Sequence, residues 1–211
     1  MPKSKAKRKK SGGQPHVGEK IAWGGKPAGG SRQLNVVLAA AAAVAVAAVA
    51  VYLFTSIQGE RAFLALAEEG RGRLSAVVSE SNLGRRHLDP GESHSYGESF
   101  PTSGPHEQTW LPPGFYEDAQ RPTQVVHALE HGNVVIYFDQ PGDKALAMLK
   151  DWTGLYGGQW DGLVAMRTAG LERAVVLTAW TKELRMEDFD PAVAAAFIDE
   201  YRGRGPENPV R

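Results

Sequence analysis

The feature that most constrains this chain is residues 34–57, a run of 24 residues without a charge between Arg32 and Glu60. As a helix this run would be about 36 Å long, enough to cross the ~30 Å hydrocarbon core of a bilayer with some tilt. Tyr52 and Phe54 lie near its end, where interfacial aromatic residues are common. The sequence therefore predicts a single transmembrane helix over residues 34–57.

The charges are distributed unevenly on the two sides of this run. Residues 1–33 hold nine Lys and Arg and one Glu, a charge of +8, and because the formal net charge is zero the remainder carries −8. Positively charged flanks stay in the cytoplasm. We therefore predict the inner (plasma) membrane, with a cytoplasmic N-terminus and a periplasmic or extracellular C-terminal part. The bilayer explains the basic tail, and no nucleic-acid partner is predicted because no recognition element accompanies it.

A cleaved signal peptide is the alternative to an anchor. Its apolar region would be about 7–15 residues long and would follow a short basic lead. The run in this chain is longer and follows 33 residues, although its alanines provide small-x-small cleavage patterns. We therefore predict a retained anchor, and cleavage stays open.

The rest of the chain is predicted to form three further segments. Residues 1–33 should be disordered, 58–81 should form a helical stalk with a break at 70–72, and 82–211 should form one extracytoplasmic domain. The patterns predict strands near Ser93–Tyr96, at Val134–Phe138, Leu163–Arg167 and Ala174–Trp180, a turn at Gly170, and helices at 144–155 and 191–202 capped by Asp143 and Asp190. This order predicts an α+β fold, a small sheet-and-helix sandwich with the helices on one face of a mainly antiparallel sheet.

The candidates for chemistry are concentrated in one segment. The chain has no cysteine and six histidines, five of them between His87 and His131. The absence of cysteine excludes disulfides, thiol nucleophiles and thiolate metal sites. The sequence also has no phosphate loop, nucleophile elbow or dinucleotide fingerprint.

The densest polar cluster is residues 127–131, His-Ala-Leu-Glu-His. In a strand, His127 and His131 would lie about 13 Å apart, too far for one ion. On a helix they would be neighbours at about 6 Å, so both imidazoles would reach one metal ion. The spacing matches the H-x-x-E-H pattern of inverted zinc peptidases. Those enzymes place the motif within a long helix, whereas Gly132 ends any helix here, so we interpret the cluster as half of a metal site.

A third ligand is expected from His106, whose backbone is restricted by the preceding Gly104-Pro105, or from His87 or His94. Three imidazoles with a carboxylate suit zinc or copper(II) better than magnesium or calcium. We therefore predict a site for one transition metal ion, copper or zinc. Its predicted ligands are His106, His127 and His131, with His87 or Glu130 completing or supporting the site.

Two other interpretations of these residues stay open. The histidines could be structural, partly buried and bonded to backbone carbonyls or to Glu130. They could also serve acid–base catalysis without a metal. Within a metal site, Glu130 is expected to hold an imidazole in the tautomer that binds the ion.

Several segments together resemble the bacterial family known as domain of unknown function 3105. They appear in family order over residues 86–211, and Phe100 replaces the first of a usual pair of prolines. The segments are His87-Leu88 with Pro90-Gly91, Pro101–His106, Gly114–Tyr116, His127–Gly132, Thr178–Trp180 and Gly205–Glu207. The resemblance implies one N-terminal transmembrane helix and no known activity, and it places all five candidate ligands in motif positions.

The leading hypothesis is a membrane-anchored extracytoplasmic domain that binds one metal ion, with no enzyme activity favoured. The alternative is a non-catalytic scaffold or assembly factor for an envelope membrane complex, with a membrane-protein partner and structural histidines. A hydrolase that uses a metal-bound water, with Glu130 as general base, ranks third because no second carboxylate or oxyanion device is evident.

Overall fold

A computed structural model describes residues 30–211, so most of the predicted disordered tail lies outside the described residues. The described part begins with helix α1, Gly30–Gly70, which is followed by a 3-10 helix, Arg71–Ala76. Among the described residues, one helix is long and apolar enough to cross a membrane, and that helix is α1. Its apolar segment is not covered by other residues. The expected break at residues 70–72 is observed where α1 ends.

Residues 49–211 form one compact unit that contains a six-stranded mixed sheet. Its remaining elements are β1 (Val78–Ser79), β2 (Gly114–Tyr116), α2 (Pro122–His131), β3 (Val134–Phe138), α3 (Asp143–Leu155), β4 (Leu163–Arg167), β5 (Val175–Ala179), β6 (Lys182–Met186) and α4 (Pro191–Tyr201). The strand order is β1-β6-β5-β3-β4-β2. The β3–β4 and β4–β2 pairs are parallel, and the other three pairs are antiparallel.

Strand β3 is buried on both faces and divides the core in two. Because side chains alternate along a strand, Ile136 and Val135 point to opposite faces. Ile136 lies in a cluster with residues of α3, α4 and the C-terminal part of α1. Val135 lies in a second cluster with residues of α2. The sheet is therefore covered by helices on both faces, and our prediction of helices on one face was wrong.

The predicted strands and helices of the second half are observed with small shifts. Strands β3 and β4 have the predicted bounds, β5 is shorter by one residue at each end, and Gly170 lies in the β4–β5 turn. The Asp190 carboxylate caps α4 by accepting hydrogen bonds from the amides of Ala192 and Val193 at 3.1 and 3.2 Å. The capping role given to Asp143 was wrong, because Asp143 is the first residue of α3 and the N-cap is Gly142.

The strand assignments also differ, and the short strands β1 and β2 were not predicted. The segment near Ser93–Tyr96 has no regular structure, so the strand predicted there was wrong. Strand β6 was missed, although buried Leu184 and Met186 alternate with exposed Arg185, the pattern of a strand with one solvated face. The parallel β3–β4 pair was not predicted either. It follows from the α3 crossover that joins these two strands.

The C-terminal part of α1, which we predicted as stalk, contributes side chains to the core. Phe63 is only 1% exposed, and its ring lies edge-on to the rings of Trp152 at 5.3 Å and Tyr156 at 5.0 Å. Ala67 is buried in the same cluster.

We expect Phe63→Ala to lower the free energy of unfolding by about 3–5 kcal/mol, because the substitution removes a buried aromatic ring and leaves a cavity. The neighbouring Leu64 is 44% exposed and is the matched control. Leu64→Ala should lower the free energy of unfolding by less than about 1 kcal/mol. Urea unfolding of the full chain in detergent, followed by tryptophan fluorescence, measures both. Equal effects of the two substitutions would show that α1 does not contribute to this core.

Candidate metal centre

The helix that carries three candidate ligands ends where the sequence predicted. Pro122 is the first residue of α2, and Gly132 closes the helix in the left-handed conformation with φ 102°. His127, Glu130 and His131 therefore lie on its last two turns. The helical alternative for this cluster is confirmed, and the imidazole centroids of His127 and His131 are 4.6 Å apart.

His87 and His106 are brought together by two paired loop segments. Their backbones form a short parallel bridge, in which the Leu88 amide donates to the His106 carbonyl at 2.7 Å and the His106 amide donates to the Arg86 carbonyl at 3.0 Å. The guanidinium of Arg86 also binds both carboxylate oxygens of Glu92 at 2.9 and 2.6 Å. This hydrogen-bonded pair lowers the pKa of Glu92 to about 2 and closes the loop that follows His87.

Four of the five predicted ligands converge in one group. His87, His106, His127 and Glu130 each offer a ligand atom, and these atoms all lie within 4.8 Å of one another. The His106 side chain is fully buried, and His127 and Glu130 are each 4% exposed. His87 is exposed, so it forms the solvent side of the group.

Backbone carbonyls determine which nitrogens of two imidazoles are free. Nδ1 of His106 lies 2.9 Å from the Gly104 carbonyl oxygen, and Nδ1 of His127 lies 2.7 Å from that of Glu107. A carbonyl oxygen only accepts, so each Nδ1 carries the proton and each neutral ring has its lone pair on Nε2. Burial lowers the pKa of His127 to about 4, against the opposing effect of the Glu107 carbonyl. The His127 ring is therefore neutral at neutral pH.

The free nitrogen of His106 faces a carboxylate. Nε2 lies 3.1 Å from Oε2 of Glu130, with both side chains buried. Nε2 makes no hydrogen bond with any residue in the described part of the chain. The other carboxylate oxygen, Oε1, is 3.9 Å from the guanidinium of Arg85, which is beyond hydrogen-bond distance.

His131 lies beside this group and pairs with a different acid. Its Nε2 is 3.1 Å from Oε2 of Glu207, and His127, His131 and Glu207 form a second potential ligand group. The His131 ring is packed between the indoles of Trp110 and Trp160, with centroid distances of 5.0 and 4.3 Å. Burial lowers the pKa of His131, and the Glu207 charge opposes this shift.

The C-terminal segment reaches Glu207 by crossing the end of α2 at close range. The Gly203 amide donates to the Gly132 carbonyl at 2.8 Å, and the Glu207 amide donates to the Glu130 carbonyl at 3.3 Å. A Cβ atom at Gly205 would lie 2.2 Å from both the Glu130 carbonyl oxygen and the Gly132 amide. Only glycine allows this approach, which holds Glu207 next to His131.

The predicted ligand set is thus divided by the structure. His87, His106, His127 and Glu130 form one group, whereas His131 forms a second group with His127 and Glu207. His94, an alternative third ligand, belongs to neither group. Glu207 was not predicted as a site residue, although it lies in the Gly205-Pro206-Glu207 motif of the family resemblance. The hydrogen bonds from Nδ1 to carbonyls agree with the structural alternative, and they are also the bonds that orient metal-binding imidazoles.

We expect Gly205→Ala to lower the free energy of unfolding by about 1–3 kcal/mol, because the added methyl group forces the C-terminal segment away from α2. Gly72→Ala is the control, because a Cβ there meets nothing within 4 Å. Urea unfolding of the full chain compares the two variants. A Gly205→Ala protein as stable as wild type would contradict the close approach.

The comparisons agree with the resemblance seen in the sequence. The family model described as "Protein of unknown function (DUF3105)" matches residues 87–211, more than half of the chain. No curated protein and no solved structure is similar enough to be a match. The matched region includes all the residues of both histidine groups. The chain therefore belongs to the DUF3105 family of proteins of unknown function.

Proposed function

We propose that this chain is a membrane-anchored protein whose extracytoplasmic domain binds one transition metal ion, copper or zinc, at the group formed by His87, His106, His127 and Glu130. The observation that supports the proposal most is the buried contact of 3.1 Å between Nε2 of His106 and Oε2 of Glu130. The proposal assigns metal binding and no catalytic step.

The contact between Nε2 of His106 and Oε2 of Glu130 is favourable only if a proton or a metal ion lies between the two atoms. The Nδ1 proton of His106 is used by the Gly104 carbonyl, so a neutral ring presents a lone pair to the carboxylate. Two acceptors at this distance repel each other, and in a buried site the repulsion is strong because the local dielectric constant is low. A metal ion, or a proton shared by the two side chains, removes the repulsion.

The surrounding residues favour the metal ion. A proton bridge would involve only His106 and Glu130, whereas ligand atoms of His127 and of the exposed His87 also lie within 4.8 Å of theirs. The ligand atoms lie within 4.8 Å of one another. In a tetrahedral site with metal–nitrogen bonds near ~2.1 Å, neighbouring ligand atoms would be about 3.4 Å apart, which is a modest difference. Small side-chain movements would therefore complete the site.

The donor set selects the class of metal. Imidazole nitrogens suit zinc and copper(II), whereas calcium and magnesium prefer oxygen ligands throughout. His131 and Glu207 lie next to His127 and are the proposed outer-shell partners of the site. Such partners hold a ligand in place without binding the ion themselves.

The anchor supports the proposed location. Residues 34–57 lie within a helix long enough to span a bilayer, and the positively charged residues of 1–33 favour a cytoplasmic N-terminus. In this orientation the domain lies on the extracytoplasmic side of the inner membrane. The lipid bilayer is therefore a proposed partner of this chain, bound through residues 34–57.

The full chain is purified in detergent, stripped of metal with a chelator and reloaded with zinc or copper. We expect it to retain close to one metal ion per chain. Glu130→Gln and His87→Ala should weaken binding by more than the ~10–100-fold that is typical of losing an outer-shell partner. His87 is exposed, so its loss is compatible with folding. His94→Ala is the matched control and should bind as wild type. Elemental analysis and competition with a chromophoric chelator measure these quantities.

The opposite result supports the alternative function. A folded chain that retains neither zinc nor copper would leave the His106–Glu130 contact to a shared proton in place of a metal ion. The histidines would then be structural, as expected for a scaffold or assembly factor. Co-purification of a stable membrane-protein partner would be the next test of that function.

We expect the chain to resist extraction from membranes by alkaline carbonate. Val46→Arg should release a large fraction of it, because an arginine near the centre of a span costs about 2.5–3.5 kcal/mol on insertion scales. Leu83→Arg, at an exposed position outside the span, is the control. Protease added to the extracytoplasmic side should digest the domain. A chain that carbonate releases in full would contradict the anchor.

A further inference from the structure

A cavity of about 410 Å³ lies between the end of the apolar run of α1 and the C-terminal end of α3. Its α1 wall includes Leu53, Ile57 and Glu60, and its opposite wall includes Tyr156 and Arg202. The cavity is on the face of the sheet that packs against α1, α3 and α4, whereas the metal-centre helix α2 packs against the other face. Nothing in the proposed metal chemistry uses it.

Two buried polar groups in the wall of this cavity have no partner. Nε of Arg202 and the Tyr156 hydroxyl are both buried and form no hydrogen bond with any residue the structure describes. The Arg202 side chain is only 9% exposed. A buried donor without a partner is unfavourable, and more so when it belongs to a charged group. The two groups therefore provide a built site for an acceptor.

The orientation of Arg202 is determined by its other contacts. Its Nη1 donates to the carbonyl oxygen and to Oδ2 of Asp161, at 2.9 and 2.7 Å. The guanidinium lies 3.9 Å from the centre of the Tyr156 ring. Burial raises the pKa of the Tyr156 hydroxyl, against the opposing charge of Arg202, so the hydroxyl keeps its proton. Both groups can therefore donate to one anionic ligand.

The same cavity contains acids as well as a cation. Glu60 lies on the α1 wall, and Asp161 already accepts from Arg202. A ligand carrying only negative charge would be repelled by Glu60. A ligand with an anionic end at Arg202 and a cationic end at Glu60 would match both walls.

The apolar part of the wall indicates where such a ligand comes from. Leu53 and Ile57 are 53% and 50% exposed, and both belong to the apolar run proposed to span the membrane. At the end of a span these side chains lie at the level of lipid headgroups. Acyl chains could therefore lie along α1 while a headgroup enters the cavity.

We propose that this cavity binds the headgroup of a phospholipid that carries a phosphate and a primary ammonium, as in phosphatidylethanolamine. The phosphate accepts hydrogen bonds from Nε of Arg202 and from the Tyr156 hydroxyl, and the ammonium pairs with Glu60. A quaternary ammonium has no N–H to donate to that carboxylate, so phosphatidylcholine fits less well. The inference rests on the membrane anchor of the proposed function and is independent of the metal site.

Native mass spectrometry of the full chain in detergent tests the proposal. The protein is titrated with one of three lipids that have identical acyl chains: phosphatidylethanolamine, phosphatidylcholine or phosphatidylglycerol. We expect phosphatidylethanolamine to be retained most strongly. Tyr156→Phe and Glu60→Gln should each weaken its binding about tenfold or more, because the first removes a hydrogen bond to the phosphate and the second removes the negative charge that pairs with the ammonium. Tyr116→Phe is the control and should bind as wild type, because the Tyr116 hydroxyl donates to the Pro112 carbonyl and Tyr116 is not part of the cavity wall.

Equal retention of the three lipids, or unchanged binding by both cavity variants, would overturn the proposal. Carbonate extraction and metal content, measured on the same preparations, separate the possible failures. A chain that stays in the membrane without a lipid preference loses only the headgroup site. A chain that carbonate releases in full loses the anchor and the headgroup site together, and neither result affects the metal centre.

Discussion

The domain is organised around the burial of one carboxylate, that of Glu130, against the imidazole of His106. A buried charge without compensation is costly, so the elements around it have to supply hydrogen bonds and counter-charges. Two loop segments bring His87 and His106 to one side, and the last turns of α2 bring His127 and Glu130 to the other. The proposed metal ion would compensate the carboxylate and would connect these segments.

The C-terminal segment completes this arrangement from outside the sheet. Its amides donate to the carbonyl of Glu130, at the end of α2, and to that of Gly132, which follows the helix, so carbonyls left free at a helix end gain partners. The crossing is close enough that Gly205 has no room for a side chain, and it brings Glu207 to His131. A helix end, a glycine contact and an acid–imidazole pair thus form one structural unit. Disturbing one of them is expected to affect the others.

The sheet separates the two proposed binding regions. Alternate side chains of β3 pack towards α2 and the histidines on one face and towards α1, α3 and α4 on the other. The metal centre belongs to the first face and the headgroup cavity to the second. Because the packed sheet lies between them, ligand binding in one region need not alter the other, and the two proposals can be tested separately.

The sequence by itself determined the local features of this protein. The charge-free run predicted a long helix, the family motifs identified four residues that converge, and Gly132 predicted the end of α2, because length, composition and glycine backbone freedom act within a few residues. The tertiary structure decided what depends on contacts between distant segments. It placed α2 on the opposite face from α3 and α4, assigned His106 and His131 to different ligand groups, and brought Glu207 next to His131. Spacing along the chain does not specify which side chains meet when loops and termini fold back, so only the packed structure could show these contacts.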